Sequence, residues 1–336
     1  MKQASLITTD IDFQRQGFQR GTLRVPYSHD KSGYGAIMIP IALLSQGEGP
    51  TVLLTGGNHG DEYEGPIALM KLMQRLPEMQ IRGRLIVIPA LNFPAFLNGS
   101  RTSPIDKGNL NRVFPGQRNG TPTEMIAHYL NQELFPLADF VFDIHAGGAS
   151  TNYLPTLMVT PPEDPARRDR YKTFVDAFAA PNVMIMDLLG EDRTYGAAMQ
   201  KHKGFFFCGE FGGYASCNVD GLDVVESGLE RLLHALDVTA EPGPAMPVTH
   251  SRLLKVEGEE HYVFAPLPGI FEPAFKLGDK VSAGQLAGRI FNPHAPWDVP
   301  VTLYFKGSGI VICVRTFAGV DSGDCLVHLA SDTTWF

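Results

Sequence analysis

Short, unbroken apolar runs alternating with helix-patterned stretches fill the first two thirds of the chain. Residues 35–41 (GAIMIPI), 51–55 (TVLLT) and 85–90 (LIVIPA) are runs of this kind, and continuous rather than alternating apolarity predicts strands buried on both faces. Between the second and third, residues 61–76 place Ile67, Met70, Leu72, Met73 and Leu76 at spacings that predict a helix covering the sheet. The pattern recurs as a helix at 123–135, a strand at 139–144, a helix at 164–180, a strand at 204–208 and a helix at 225–236. Repeated strand–helix–strand units predict a doubly wound α/β domain, whose sites gather beyond the carboxyl ends of the strands.

The pattern changes after residues 239–248 (TAEPGPAMPV), a Pro- and Gly-rich stretch that reads as a linker. Residues 249–336 alternate short β-type runs with turn pairs such as Pro268-Gly269, Gly278-Asp279 and Gly307-Ser308, and no helical period stands out. The expected organisation is an α/β domain over 1–240 and an all-β domain over 241–336.

Composition narrows the function classes. The chain has 336 residues, 44% hydrophobic and 19% charged, ordinary globular values that exclude disordered and fibrous classes. A net charge of -8 argues against nucleic acid or an anionic membrane as a main partner. The N-terminus lacks a signal-like apolar segment, and no run reaches the roughly 18 apolar residues a membrane span needs, so a cytoplasmic location is expected. Cys208, Cys217, Cys313 and Cys325 lack CxxC spacing, which disfavours a disulfide framework or a thiolate metal site.

Candidate chemistry sits where the runs end. In GGNHGDE (56–62), His59 and Glu62 are three apart, so a helical turn beginning there aims an imidazole and a carboxylate at one point. The run FVFDIHAGG (140–148) ends in His145, a third ligand. Two His and one Glu with an open fourth position is the ligand set of hydrolytic zinc sites, one Zn2+ per chain. Glu210, in FCGEFGG (207–213), follows an apolar run, and burial there raises a carboxylate towards the range of a general base; a salt-bridged strand-end Glu is the plainer reading. Asn111 and Arg112, in GNLNRVFPG (108–116), offer an amide and a guanidinium suited to a substrate carboxylate. Arg101 near a metal would stabilise an oxyanion. For both arginines an ion pair with Asp106 or Glu124 is the alternative. Asp143 shares a strand face with His145 and either orients an arginine or caps the strand end. His128, His202, His234 and His328 read as surface or packed residues, and one of His29, Tyr34, Arg193 and Tyr195 is a candidate to line a pocket.

Taken together, GGNHGDE, NLNRVFPG, DIHAGG and GEFGG resemble the succinylglutamate desuccinylase and aspartoacylase family, itself related to zinc carboxypeptidases, over roughly residues 50–235. The resemblance implies a mixed sheet of zinc-carboxypeptidase type and a small N-acylated amino acid as substrate. It also implies zinc on His59, Glu62 and His145, carboxylate binding by Asn111 and Arg112, and Glu210 as general base. The long GNLNRVFPG form and the tail look most like the branch that deacetylates N2-acetyl-L-2,4-diaminobutyrate in ectoine breakdown. Many relatives carry Asp-Leu-Asn-Arg where this chain has Asn109, a neutral acceptor for a zinc-binding imidazole. The stretch LGDKVSAGQ (277–285) resembles the biotinyl-lipoyl barrel, but the Met-Lys-Met hairpin that takes a cofactor in carriers is missing. A carboxypeptidase, a succinylglutamate or aspartate deacylase, and a non-catalytic metal-binding or carrier protein are the competing readings, and self-association is compatible with all of them.

Overall fold

In the computed structural model, residues 4–186, 190–247 and 250–335 are described. The apolar runs become adjacent strands of one mixed sheet. Its order runs Gly17–Pro26, Ala36–Gln46, Gly83–Ile88, Thr51–Gly56, Phe140–His145, Phe205–Glu210, Thr156–Val159, Asn182–Ile185 and Arg252–Lys255. The three strands at the centre, Thr51–Gly56, Phe140–His145 and Phe205–Glu210, are mutually parallel, and the first two are buried along their whole length. That burial on both faces is what the continuous apolar runs predict.

Helices cover both faces, which is the doubly wound arrangement. On one side Glu64–Arg75, Pro165–Phe178 and Val219–Ala235 pack through Leu69, Phe174, Phe178 and Leu229 onto Phe140, Phe142 and Phe207. On the other, Pro122–Tyr129 and Tyr195–Met199 bury Ile126, Tyr195 and Met199 against Val141 and Leu53.

Boundaries differ from expectation in instructive ways. The first covering helix begins at Glu64, so His59 and Glu62 lie in the turn before it rather than on a helical turn. The last begins at Val219, because the Asn218 side chain caps it by accepting from Gly221 N–H. The stretch expected to be helical over 123–135 ends its α-helix at Tyr129 and continues as wider and tighter turns to Leu137. The strands Gly17–Pro26, Thr156–Val159 and Asn182–Ile185 and the helix Tyr195–Met199 carry weak periodicity and do not emerge from the sequence pattern.

The C-terminal region is all β among its described residues, apart from the single turn Glu259–His261. Four strands, Val301–Tyr304, Leu286–Phe291, Gly269–Pro273 and Gly319–Val320, form a separate sheet. The rest joins the large one: Arg252–Lys255 pairs in parallel with Asn182–Ile185, and Cys325–Asp332 pairs antiparallel with Arg252–Lys255. Gly309–Arg315 reaches back to Thr151–Tyr153, in the loop that follows His145.

Candidate active site

His145 is the last residue of its strand, and in the neighbouring strand Glu210 pairs with it directly. Both side chains therefore stand at the carboxyl edge of the sheet, where doubly wound folds place ligands. The turn carrying His59 and Glu62 begins three residues beyond the next strand over, Thr51–Gly56. Gly57, at φ +63°, makes that reversal in the left-handed region.

Glu62 is the hub. Its Oε1 lies 2.7 Å from His59 Nδ1 and its Oε2 lies 2.8 Å from His145 Nδ1, and all three residues are buried. One donor atom from each lies within 4.8 Å of the other two. Burial alone would push the Glu62 carboxyl up, but the two imidazoles carry it well below the usual carboxylate range. His145 is drawn the other way: burial disfavours its cation, while Asp143 and Glu62 raise its pKa well above the ordinary value.

The far sides of both imidazoles are tied. His145 Nε2 lies 2.8 Å from Asp143 Oδ2, and Asp143 is fixed in turn by the Thr55 hydroxyl at 2.7 Å and the Asn58 amide at 2.7 Å. His59 Nε2 lies 3.1 Å from Asn109 Oδ1. With each Nε2 committed to an acceptor, each Nδ1 is left to face the common point, which is how histidine ligands are oriented around a cation. Two imidazole nitrogens and a carboxylate suit a divalent ion of zinc type, and the donor set therefore fits a metal. Asp143 thus anchors an imidazole. It neither orients an arginine nor merely caps the strand.

The acidic residues of the turn have separate duties that the motif does not advertise. Asp61 accepts from Ala149 N–H at 2.7 Å and is packed against Gly148, which at φ +59° leaves no room for a Cβ. Glu64 accepts from Asn218 N–H at 2.8 Å, tying the helix start to the loop after Glu210. Burial raises Glu64 to about 7. In this way residues 58–64 touch the DIHAGG and GEFGG segments at once.

Glu210 is held in a site that burial makes apolar, with Glu62 adding repulsion, and its pKa rises well above the usual value even though His145 and Arg101 oppose the shift. Its Oε2 is buried with no partner, an acceptor aimed at something the protein itself does not supply. Arg101 stands at the rim, its Nη1 3.4 Å from His59 Nδ1 and 3.8 Å from Glu62 Oε1. Asp106 is occupied by Thr123 and Gly108, and Glu124 closes a capping box with Thr121, so neither is the arginine partner. Arg112 instead lies 4.0 Å from Glu191, and burial followed by repulsion from Arg101 lowers its pKa.

Asn111, Arg112, Asp143, His145 and Glu210 all line one cavity of about 230 Å³. Asn111 is fixed there by the Tyr195 backbone N–H, 2.8 Å from its Oδ1, and Tyr195, one of the candidate loop residues, is itself part of the lining. All seven site residues read from the sequence therefore fall in or at the edge of one place. Those not foreseen are Asn58, Asp61, Glu64, Met158, Thr160, Gln200 and Cys208. Asn58, Asp61 and Cys208, inside motifs already singled out, gave the only signal. Of the packed histidines, His328 is buried and stacked on Tyr262 with ring centroids 4.4 Å apart, while His202 contacts Asn131 and His234 the Thr239 carbonyl.

Comparison with known proteins identifies the family. Residues 48–236 match the family described as succinylglutamate desuccinylase/aspartoacylase catalytic domain. The chain is 36% identical over 329 residues to the N-alpha-acetyl-L-2,4-diaminobutyric acid deacetylase of Halomonas elongata, covering 98% of this chain and 96% of that protein. Among solved structures, the product-bound ectoine utilization protein EutE of Ruegeria pomeroyi superposes with a TM-score of 0.92 at 35% identity, over 98% of this chain and all of that one. A succinylglutamate desuccinylase/aspartoacylase from Rhodobacter sphaeroides gives 0.93 at 35% identity, again over 98% of this chain and all of that one.

Proposed function

The chain belongs to the succinylglutamate desuccinylase/aspartoacylase family, and on that premise we propose that it is a zinc-dependent amidohydrolase removing the acetyl group from N2-acetyl-L-2,4-diaminobutyrate. The observation that carries the reading is the near full-length relationship to a deacetylase of that substrate, joined to a cavity that combines a His59–Glu62–His145 cluster with a buried, partnerless carboxylate oxygen on Glu210.

His59, Glu62 and His145 would hold the zinc. When bound, it supplies Lewis acidity, lowering the pKa of a water and polarising the acyl carbonyl. Beside a cation held there, the Glu210 carboxyl would be drawn back towards a working range, since nearby positive charge favours its ionised form. Glu210 takes the proton of the attacking water and later gives it to the departing nitrogen, so that the amide ends as acetate and a free amine. The Arg101 guanidinium shares the negative charge that grows on the carbonyl oxygen. Asn111 and Arg112 grip the amino-acid carboxylate, which turns a diffusing encounter into a positioned one. Around the site, we read the C-terminal β region as a lipoyl-like scaffold that borders the cavity without carrying a cofactor; the pairing of Gly309–Arg315 with Thr151–Tyr153 and the Thr316 hydroxyl bonded to the Ala149 carbonyl support that role.

The test is metal analysis of the purified protein together with an amine-release assay over N2-acetyl-L-2,4-diaminobutyrate, N-acetyl-L-aspartate and N-succinyl-L-glutamate. Stoichiometric zinc and preferred release from the first support the proposal. Preferred release from either of the others moves the chain to a different deacylase of the same family.

A further inference from the structure

The separate four-stranded sheet of the C-terminal region ends in a surface that no other described part of the chain covers. There, residues 292–300 (NPHAPWDVP) link the strand Leu286–Phe291 to Val301–Tyr304. In this loop Trp297 is 81% and Val299 90% exposed, and at its foot the cross-strand pair Ile270 and Phe291 is 45% and 40% exposed. One bare apolar side chain is ordinary, but four gathered at one end of a small sheet mark a contact surface. The loop also holds the indole out instead of letting it collapse. The Ala295 N–H donates to the Asn292 carbonyl at 3.2 Å and the Asp298 N–H to the Ala295 carbonyl at 3.0 Å, closing two successive turns. The Asn292 side chain accepts the His294 N–H at 3.0 Å, and Pro293, Pro296 and Pro300 each fix a backbone angle. An anchor already held in place loses little freedom on binding.

The same end of the sheet offers a receptacle. A hollow of about 720 Å³ opens between residues 267–269, 292–294 and 319–321, walled by Leu267, Pro268, Pro293 and Val320. Asp321, also in its lining, is an acceptor suited to the indole N–H, the one polar group of that ring. Residues 292–294 wall the hollow and lead directly into the loop that carries Trp297, so ring and recess lie side by side. Trp297 does not line its own hollow. A projection beside a recess of matching chemistry is self-complementary about a two-fold axis, where each copy's ring enters the other's hollow. The area is sufficient. Scaled by its exposed fraction, Trp297 alone displays roughly 200 Å² and the four side chains together roughly 450 Å². Doubled, and with the walls of the hollow added, this reaches the roughly 1,000 Å² that a specific interface needs.

We infer that this end of the C-terminal region is the docking face for a second copy of the chain, with Trp297 of each protomer seated in the hollow of the other. The contact is reversible and of roughly micromolar strength, as an interface near the smallest specific size with one aromatic anchor per copy implies. It does not depend on the deacylase reading.

The experiment is sedimentation velocity on the full chain from about 1 to about 300 µM, a range that brackets a micromolar dimer. The chain has two tryptophans, so in a Trp335→Phe background Trp297 is the sole emitter, and its fluorescence should shift to the blue and resist acrylamide quenching as the dimer forms. Two variants attack the two halves of the contact. Trp297→Ala removes the ring, and Gly319→Arg fills the hollow from its lining, where no heavy atom lies within 4 Å of the added Cβ. Each variant alone loses both ring contacts and should weaken the dimer about 10³-fold, at about 30-fold per ring. Mixed, they keep one contact, the hollow of the first with the ring of the second, and should associate about 30-fold more tightly than either alone. Val299→Asp probes the same face should either variant fail to melt like the wild type, and should weaken the dimer about tenfold or more. A wild type that stays monomeric with a solvent-exposed Trp297 throughout overturns the inference and leaves the face to a different protein. A dimer that none of these substitutions weakens, or a mixture no tighter than its components, overturns it as well.

Discussion

Asn109 gives the sharpest handle on the proposed metal site. Its Oδ1 lies 3.1 Å from His59 Nε2 and also accepts the Asn111 N–H at 3.1 Å, so Asn109→Asp keeps the shape and both contacts while adding a full charge behind one ligand. A neutral hydrogen bond nets about 1 kcal/mol and one to a charged group about 2 kcal/mol, so the gain is on the order of 1 kcal/mol. Asn109 is half-buried, and desolvating the new carboxylate removes part of that. The expected result is a zinc Kd tighter by roughly three- to tenfold, whereas Asn109→Ala, which leaves the imidazole untethered, loosens it by about 10- to 100-fold. Both are read by competing the metal-stripped full chain against a fluorescent zinc chelator at fixed pH. An Asn109→Asp protein that melts like the wild type yet holds zinc no more tightly would refute the idea that this contact tunes His59.

Further outcomes are open to direct measurement. Glu210→Gln should retain zinc at wild-type stoichiometry while kcat falls by about 10²- to 10⁴-fold, because only the proton-transfer function is lost; turnover within threefold of the wild type would remove Glu210 from that role. Gly60→Ala places a Cβ 1.9 Å from the Ala95 carbonyl carbon, a backbone atom that cannot step aside, so thermal melting should show destabilisation of about 1–3 kcal/mol or more, with metal lost as well. His328 is held at about 4 by burial and by its neighbour His261. Its folded-state value lies below the ordinary 6.5, so the unfolded chain binds the proton more readily between those values. Stability from this residue is therefore complete above pH 6.5 and falls as the pH drops towards 4, by at most about 3 kcal/mol. His328→Phe, which keeps a ring against Tyr262, should flatten that acid limb in melts compared at pH 7 and pH 4.5.

The convergence of His59, Glu62, His145 and Glu210 was legible because each is a polar residue at or just beyond the carboxyl end of a strand, a placement that the sheet itself makes convergent. Asn111 and Arg112 stood out by residue type and loop context, and both line the same cavity. What stayed hidden depends on which acid meets which backbone. Asp61 and Glu64 carry no pattern that assigns them a partner, yet on either side of Glu62 one ties Ala149 and the other ties Asn218. Asp143 was misassigned because strand parity tells which face it shares with His145 but not that the two side chains touch. Arg112 finds Glu191, 79 positions away, and no local pattern announces such a partner. The strand Arg252–Lys255 reads as part of the tail, and only pairing to Asn182–Ile185 reveals it as a member of the main sheet.

That last strand bears on how the protein can be dissected. An engineered chain ending near residue 240 would strip the cover from Asn182–Ile185 and leave its outer row of amides and carbonyls unpaired, next to the Met184 and Leu254 packing it also loses. Unprotected borders of that kind recruit neighbouring molecules. The hydrolase half is thus bound to its tail by backbone hydrogen bonds, and a minimal soluble version would have to extend at least through Asp332 or carry a redesigned, charged margin in its place.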